Sequence, residues 1–191
     1  MKILNTVCVS LLVFQIAWGR TTHSVTDASS PQSTSTAVTK QYPNAKTQAN
    51  QFNDAVLSGD YAKAADLTYP KLVELIGGRA KYLAALKHRM TKTQSNCFRI
   101  ISTVADDPTD IIEVGNDVYA IVPTTMKVKV PEGVFVGKWF MIGISNDRGE
   151  HWTFADNSSG FKNEQLKNLF PAVADRLRLP ETERLVLQRA P

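Results

Sequence analysis

A change of hydrophobic period at Met90 constrains this chain more than any other feature of its sequence. Before it, apolar residues recur at helical spacing. Ala49, Phe52 and Val56 fall at i, i+3 and i+7, in a segment that Ser58-Gly59 would end. Asp60 suits an N-cap for a second short helix carrying Tyr61, Ala64, Ala65 and Leu67, which Tyr69-Pro70 should stop. Leu72, Val73, Leu75 and Ile76 form a third patch, broken by Gly77-Gly78, and Tyr82, Leu83, Leu86 and Met90 share one face of a longer helix from Arg79. After Met90 the period is 2: Phe98, Ile100, Ser102 and Val104 alternate with Arg99, Ile101 and Thr103. Further strands are expected over Ile111 to Val114, Val118 to Val122 and Met126 to Val130, with turns at Asp106-Asp107-Pro108, Gly115-Asn116-Asp117 and Pro131-Glu132-Gly133. Val134 to Ser145 is apolar on both faces, as expected for a central strand covered by helices on one side, and Asn146 to Gly149 reads as a hairpin turn into a last strand, Glu150 to Asp156. Phe161 to Phe170 closes the core as a short helix. Helices first and antiparallel strands afterwards is the α+β pattern, since alternating βα units would demand parallel strands.

The flanks of this region are of a different kind. In residues 1–19, Lys2 precedes an apolar run, Val7 to Ile16, that ends at Ala17-Trp18-Gly19, the pattern of a signal peptide cut before Arg20. A secreted or periplasmic protein is the expectation, with no membrane span after cleavage, because the run is shorter than the roughly 20 apolar residues a span needs. Residues 20–44 are nearly devoid of large apolar side chains and read as a disordered Ser/Thr-rich spacer before a domain of residues 45–170. The tail, 171–191, carries Leu177, Leu179, Leu185 and Leu187, and both docking and fraying are open to it. Cys8 leaves with the leader, so Cys97 is alone in the mature chain and forms no intrachain bridge; it reads as a small buried hydrophobe. Loss of Lys2 leaves 21 basic against 18 acidic side chains, a net charge of +3, scattered rather than clustered, which argues against nucleic acid as a partner.

The segment Ala49, Phe52, Ala55 with Gly59-Asp60-Tyr61, the long helix from Arg79, and hairpins ending in Gly149-Glu150-His151-Trp152-Thr153-Phe154 resemble, in order and length, the nuclear transport factor two-like (cystatin-like cone) superfamily over about residues 45–170. The resemblance implies a cone in which helices and a bent sheet enclose a pocket, used elsewhere for isomerases, dehydratases, small-molecule binders and interaction domains. It also implies a homodimer through the outer sheet face. Fold does not choose among these functions.

Chemistry-bearing residues are sparse. His23, His88 and His151 show no ligand spacing, so neither a zinc site nor any other metal or cofactor is expected. No Gly-x-Ser-x-Gly and no phosphate loop is present. Acid–base work in a cone needs a carboxylate in an apolar cavity and a hydroxyl donor for a developing oxyanion. Asp66, Asp156, Tyr61, Tyr69 and Tyr119 are the candidates. Each also has a plain structural reading: Asp66 faces solvent, Asp156 opens the loop that holds the Asn157-Ser158-Ser159 glycosylation sequon, and the tyrosines are core residues with a hydroxyl at the rim. The expectation is therefore an exported non-catalytic module that binds a small apolar ligand or a protein partner, its pocket lined by Phe98, Tyr119, Trp139 and Trp152. A small cone-fold isomerase or hydro-lyase is the alternative.

Overall fold

Ala45, Ala49, Phe52 and Ala55 turn one buried stripe of helix α1 (Pro43–Ser58) toward the sheet, with Pro43 in its first turn and Gly59 ending it at a φ of 81°. The computed structural model describes residues 42–95, 98–156, 163–180 and 186–188. The expected leader, the spacer up to residue 41, Cys97 and the Asn157 sequon lie outside the described residues. Tyr42 to Asn44, placed in the spacer by composition, belong to the domain: Tyr42 is buried and its hydroxyl donates to Glu113. A lone tyrosine ahead of a helix carries no periodic signal, which is why composition missed it.

Three more helices follow. The Asp60 side chain accepts from the Lys63 N–H at 3.1 Å and so caps α2 (Tyr61–Asp66). Pro70 opens α3 (Pro70–Leu75), which Gly77 and Gly78, both at positive φ, separate from α4 (Arg79–Ser95). Tyr82, Leu86 and Met90 are the buried face of α4.

The sheet is built on one long hairpin, β3 (Asp117–Val130) and β4 (Gly133–Ser145), in register from Val118↔Ser145 to Val130↔Gly133. β1 (Arg99–Ala105) pairs with the second half of β3 and β2 (Thr109–Val114) with the first; β5 (Thr153–Asp156) and β6 (Val186–Gln188) pair with opposite ends of β4. Pro123 sits where β3 changes neighbour from β2 to β1. Its carbonyl accepts from Asp106 N–H at 2.8 Å, and the return bond of that pair, which proline cannot donate, falls at the end of the β1 ladder rather than inside it. The result is an α+β fold, helices followed by an antiparallel sheet curled into a half-barrel, the cone class expected.

Three local expectations need correction. A bulge between Ile100 and Ser102 breaks the alternation of β1, so Ile100, Thr103 and Ala105 face the helices while Val104 faces out, 49% exposed. The last strand begins at Thr153 rather than Glu150. Trp152 N–H is taken by Gln48 Oε1 at 2.7 Å, and Asp147 accepts from His151 N–H, so residues 150–152 leave the ladder to close the turn. The sheet is also covered on both sides. Beyond α5 (Asn163–Leu169), Phe170 and Val173 are buried against Ile121, Phe140 and Ile142, and Leu177 and Leu179 pack beside them. The described part of the tail therefore docks, and β6 lies along Val134 to Val136.

Candidate functional site

Because strand residues alternate, every second residue of β3 and β4 faces the helices, yet this inner face is filled at only one end of the cone. At the filled end Trp152 lies on Gly143, where an added Cβ would come within 3.1 Å of the indole, and packs edge-on against Tyr42 with ring centroids 5.7 Å apart. Phe52 and Phe154 continue the cluster at 6.3 Å. Toward the other end the same face carries Trp139, Met141, Thr124, Met126 and Val128, opposed by Phe52 and Val56 of α1, Met90 and Thr93 of α4, and Ile100 and Thr103 of β1. Between them is an apolar cavity of about 460 Å³, with Phe98, 44% exposed, at its edge.

Polar groups on this wall are few. Arg89 and Lys92 from α4 and Asp156 at the end of β5 line it, with Arg89 Nη1 3.2 Å from Asp156 Oδ2. Two further groups are unusual. Asn53 Nδ2 and Trp139 Nε1 are sealed from water and have no hydrogen-bond partner among the described residues, and both residues line this cavity with other atoms. Buried donors are normally paired, so two orphans in one place call for an explanation. Sequence reading missed Asn53, although its position four residues after Ala49 puts it on the same apolar stripe of α1.

The expected site residues divide between the two sides of the sheet. Phe98, Trp139 and Asp156 come together at the cavity. Trp152 does not line it; the ring is fully buried and its Nε1 donates to Gly149 O at 2.8 Å. Tyr119 and Tyr69 lie on the outer face, each packed against Phe170, beside a separate shallow hollow of about 420 Å³ that also includes Asp147 and His151. Burial raises both phenols above their ordinary pKa, with the Asp117 carboxylate adding to the shift. Alternation explains the error: Tyr119 is one residue from Val118 and Ala120, which face inward. Asp66 is exposed and bonded to Arg79 at 2.6 Å, and Tyr61 packs on the closed core. Tyr82, also raised by burial, keeps its hydroxyl 2.8 Å from Thr68 Oγ1 inside that core.

Among the described residues no cluster of three His, Cys, Asp or Glu could hold a metal ion, and no helix is long and apolar enough to cross a membrane. Comparison of this chain with protein-family models, with curated proteins and with solved structures finds no match.

Proposed function

We propose that this chain is an exported, non-catalytic module of the nuclear transport factor two-like kind, and that it binds a small apolar ligand in the open end of its cone. One observation carries the reading: an apolar cavity of about 460 Å³ lies between helices and sheet in a domain whose other end is packed solid. Ligand pockets usually measure about 300–1,000 Å³ and combine apolar walls with a few polar anchors. A ligand there would take Met90, Ile100, Val128 and Met141 out of contact with water, at about 25 cal/mol per Å² of apolar surface covered. Export rests on residues 2–19, and mass spectrometry of the mature protein should place its N-terminus near Arg20.

The hydro-lyase alternative has one observation in its favour, since Asp156 stands at the cavity wall. Against it, Arg89 engages that carboxylate, and Tyr69 and Tyr119 lie across the sheet, where neither can donate to a substrate held beside Asp156. A homodimer, on this proposal, uses the outer face of β1, where Ile101 and Val104 are 46% and 49% exposed; α5 and the docked tail cover the outer face around Ile121, Phe140 and Ile142.

The test is titration of the secreted protein with an uncharged apolar fluorophore, N-phenyl-1-naphthylamine. Saturable binding at one site is expected in the wild type, with loss in Ile100→Trp, which fills the cavity, at an unchanged melting midpoint. Equal binding by both proteins, or by neither, defeats the proposal. Asp156→Asn should keep binding.

A further inference from the structure

Cations that are scattered along the sequence are gathered by strand pairing on one part of the outer sheet face. Met126 and Val128 line the cavity, so their neighbours Lys127 and Lys129 point to the opposite side of β3. The register sets Arg99 of β1 directly across from Lys129, and Lys138, next to the cavity residue Trp139 on β4, faces the same way. All four are exposed. Among the described residues Arg99, Lys127 and Lys129 make no ion pair, and no Asp or Glu lies on this part of the face; Glu132 stands in the turn that joins β3 to β4. Like charges directly opposite on neighbouring strands weaken a sheet, so the pair Arg99 and Lys129 costs the fold stability with no described carboxylate to offset it. Apolar side chains border the cations on both sides: Ile101 and Val104 on β1, 46% and 49% exposed, and Val186 on β6, 62% exposed and paired with Val136. α5 and the tail cover the outer face only toward the other end, around Ile121, Phe140 and Ile142.

We propose that this bare face docks on a lipid bilayer containing anionic lipid, with Arg99, Lys127 and Lys129 meeting headgroup phosphates while Ile101, Val104 and Val186 enter the boundary between headgroups and acyl chains. Charge and apolar surface together favour this occupant, because anionic lipid attracts basic side chains and the boundary takes up apolar ones. A soluble polyanion would use the cations but leave the apolar border in water. A second copy of the chain, the homodimer partner named above, would set the cations against their own kind across a two-fold axis, so a bilayer displaces it. The inference goes beyond the binding-module reading and does not depend on it, since none of these residues lines the cavity.

The experiment sediments the full-length mature protein with vesicles of phosphatidylcholine alone and of phosphatidylcholine mixed with phosphatidylglycerol. Binding to the mixed vesicles and not to the neutral ones is expected, and it should fall as salt is raised. Arg99→Gln/Lys127→Gln/Lys129→Gln should weaken it about 100-fold, at about 5-fold for each cation near a charged surface. Each single variant should lose its own share, which keeps the measurement decisive if the triple variant does not fold. Ile101→Ser/Val104→Ser should weaken binding by about 10-fold, as apolar side chains withdrawn from water imply. Lys71→Gln/Lys81→Gln/Lys87→Gln removes the same charge from α3 and α4, away from this face, and should bind within about 2-fold of the wild type. Titration with N-phenyl-1-naphthylamine should be the same in every variant, so the cavity reading stands or falls separately. Equal binding to both kinds of vesicle, binding to neither, or equal weakening by the α3 and α4 variant overturns the proposal. Loss in the cation variant with none in Ile101→Ser/Val104→Ser also overturns it and names a soluble polyanion as the occupant instead.

Discussion

Trp152 and Trp139 face the same side of the sheet, one toward each end of the cone. Around Trp152 every polar atom finds a partner inside the chain: its Nε1 donates to Gly149 O at 2.8 Å, its backbone N–H to Gln48 Oε1 at 2.7 Å, and the Tyr42 hydroxyl beside it to Glu113. Gly143 supplies the room for the ring and Tyr42 packs edge-on against it. Around Trp139 the walls are as apolar, yet they do not meet, and its Nε1 and Asn53 Nδ2 are left over. The difference lies in what fills the space. One end uses its aromatic and polar groups on itself and is filled; the other leaves a space between apolar walls, with two sealed donors unpartnered among the described residues.

The widest test of this contrast is truncation of each tryptophan. Trp152→Ala should cost about 3–5 kcal/mol, a large part of the roughly 5–15 kcal/mol that stabilises a domain, and should leave the protein unfolded or nearly so in thermal denaturation followed by circular dichroism. Trp139→Ala, which enlarges a space already empty, should cost only about 1–2 kcal/mol. Similar losses at the two positions would erase the distinction between the ends.

A smaller effect is expected at Gly149. Its φ is 96°, and an added Cβ would come within 2.2 Å of Tyr42 Cδ1, so Gly149→Ala should destabilise by roughly 2–4 kcal/mol through strain and overpacking. Removing the ring should relieve the clash, so the cost of Gly149→Ala measured in a Tyr42→Ala background should be visibly smaller; strict additivity would place the strain elsewhere.

The smallest effect concerns the turn that holds Trp152 in place. Asp147 accepts from His151 N–H at 2.9 Å, meets His151 Nδ1 at 2.6 Å and takes the Ser145 hydroxyl at 2.8 Å, and these bonds hold its carboxyl well below the ordinary value of 3.8. A depressed folded pKa contributes stability that is fully present above 3.8 and is lost as pH falls through that value toward the folded one. Asp147→Asn should therefore melt lower than the wild type at neutral pH, by a modest margin because the group is exposed, and the two midpoints should converge on acidification below pH 4. A gap independent of pH would mean that the bonds, not the charge, matter.

Much of the fold was legible because it depends on local rules. The positive φ of Gly59, the Asp60 cap, the Pro70 stop, the buried face Tyr82, Leu86, Met90 and the two-faced apolar β4 each follow from residues close in sequence. Less of the site was. Asp156, Trp139 and Phe98 were singled out and do meet at the cavity, while Tyr119 and Tyr69 fall across the sheet and Trp152 is sealed in the core. Alternation separates the two faces wherever the ladder is regular but does not say which of them lines the pocket, so Tyr119 fell on the other side, and at β1 one extra residue at the Ile100/Ser102 bulge reverses the phase.

The sequence by itself determined the order of elements, their ends and their buried stripes, because hydrophobic period, glycine and proline conformation and capping act over a few residues. Only the tertiary structure decided which end of the cone is filled. That depends on Tyr42 and Gln48 of the first helix region meeting Trp152 more than 100 residues later, and on the tail covering the outer face of β4. It also decided that Asn53 and Trp139, one on a helix and one on a strand, would line a common space while Asn53 Nδ2 and Trp139 Nε1 find no partner among the described residues. Whether a donor is satisfied is a property of every atom within reach, and no local pattern of residues encodes it.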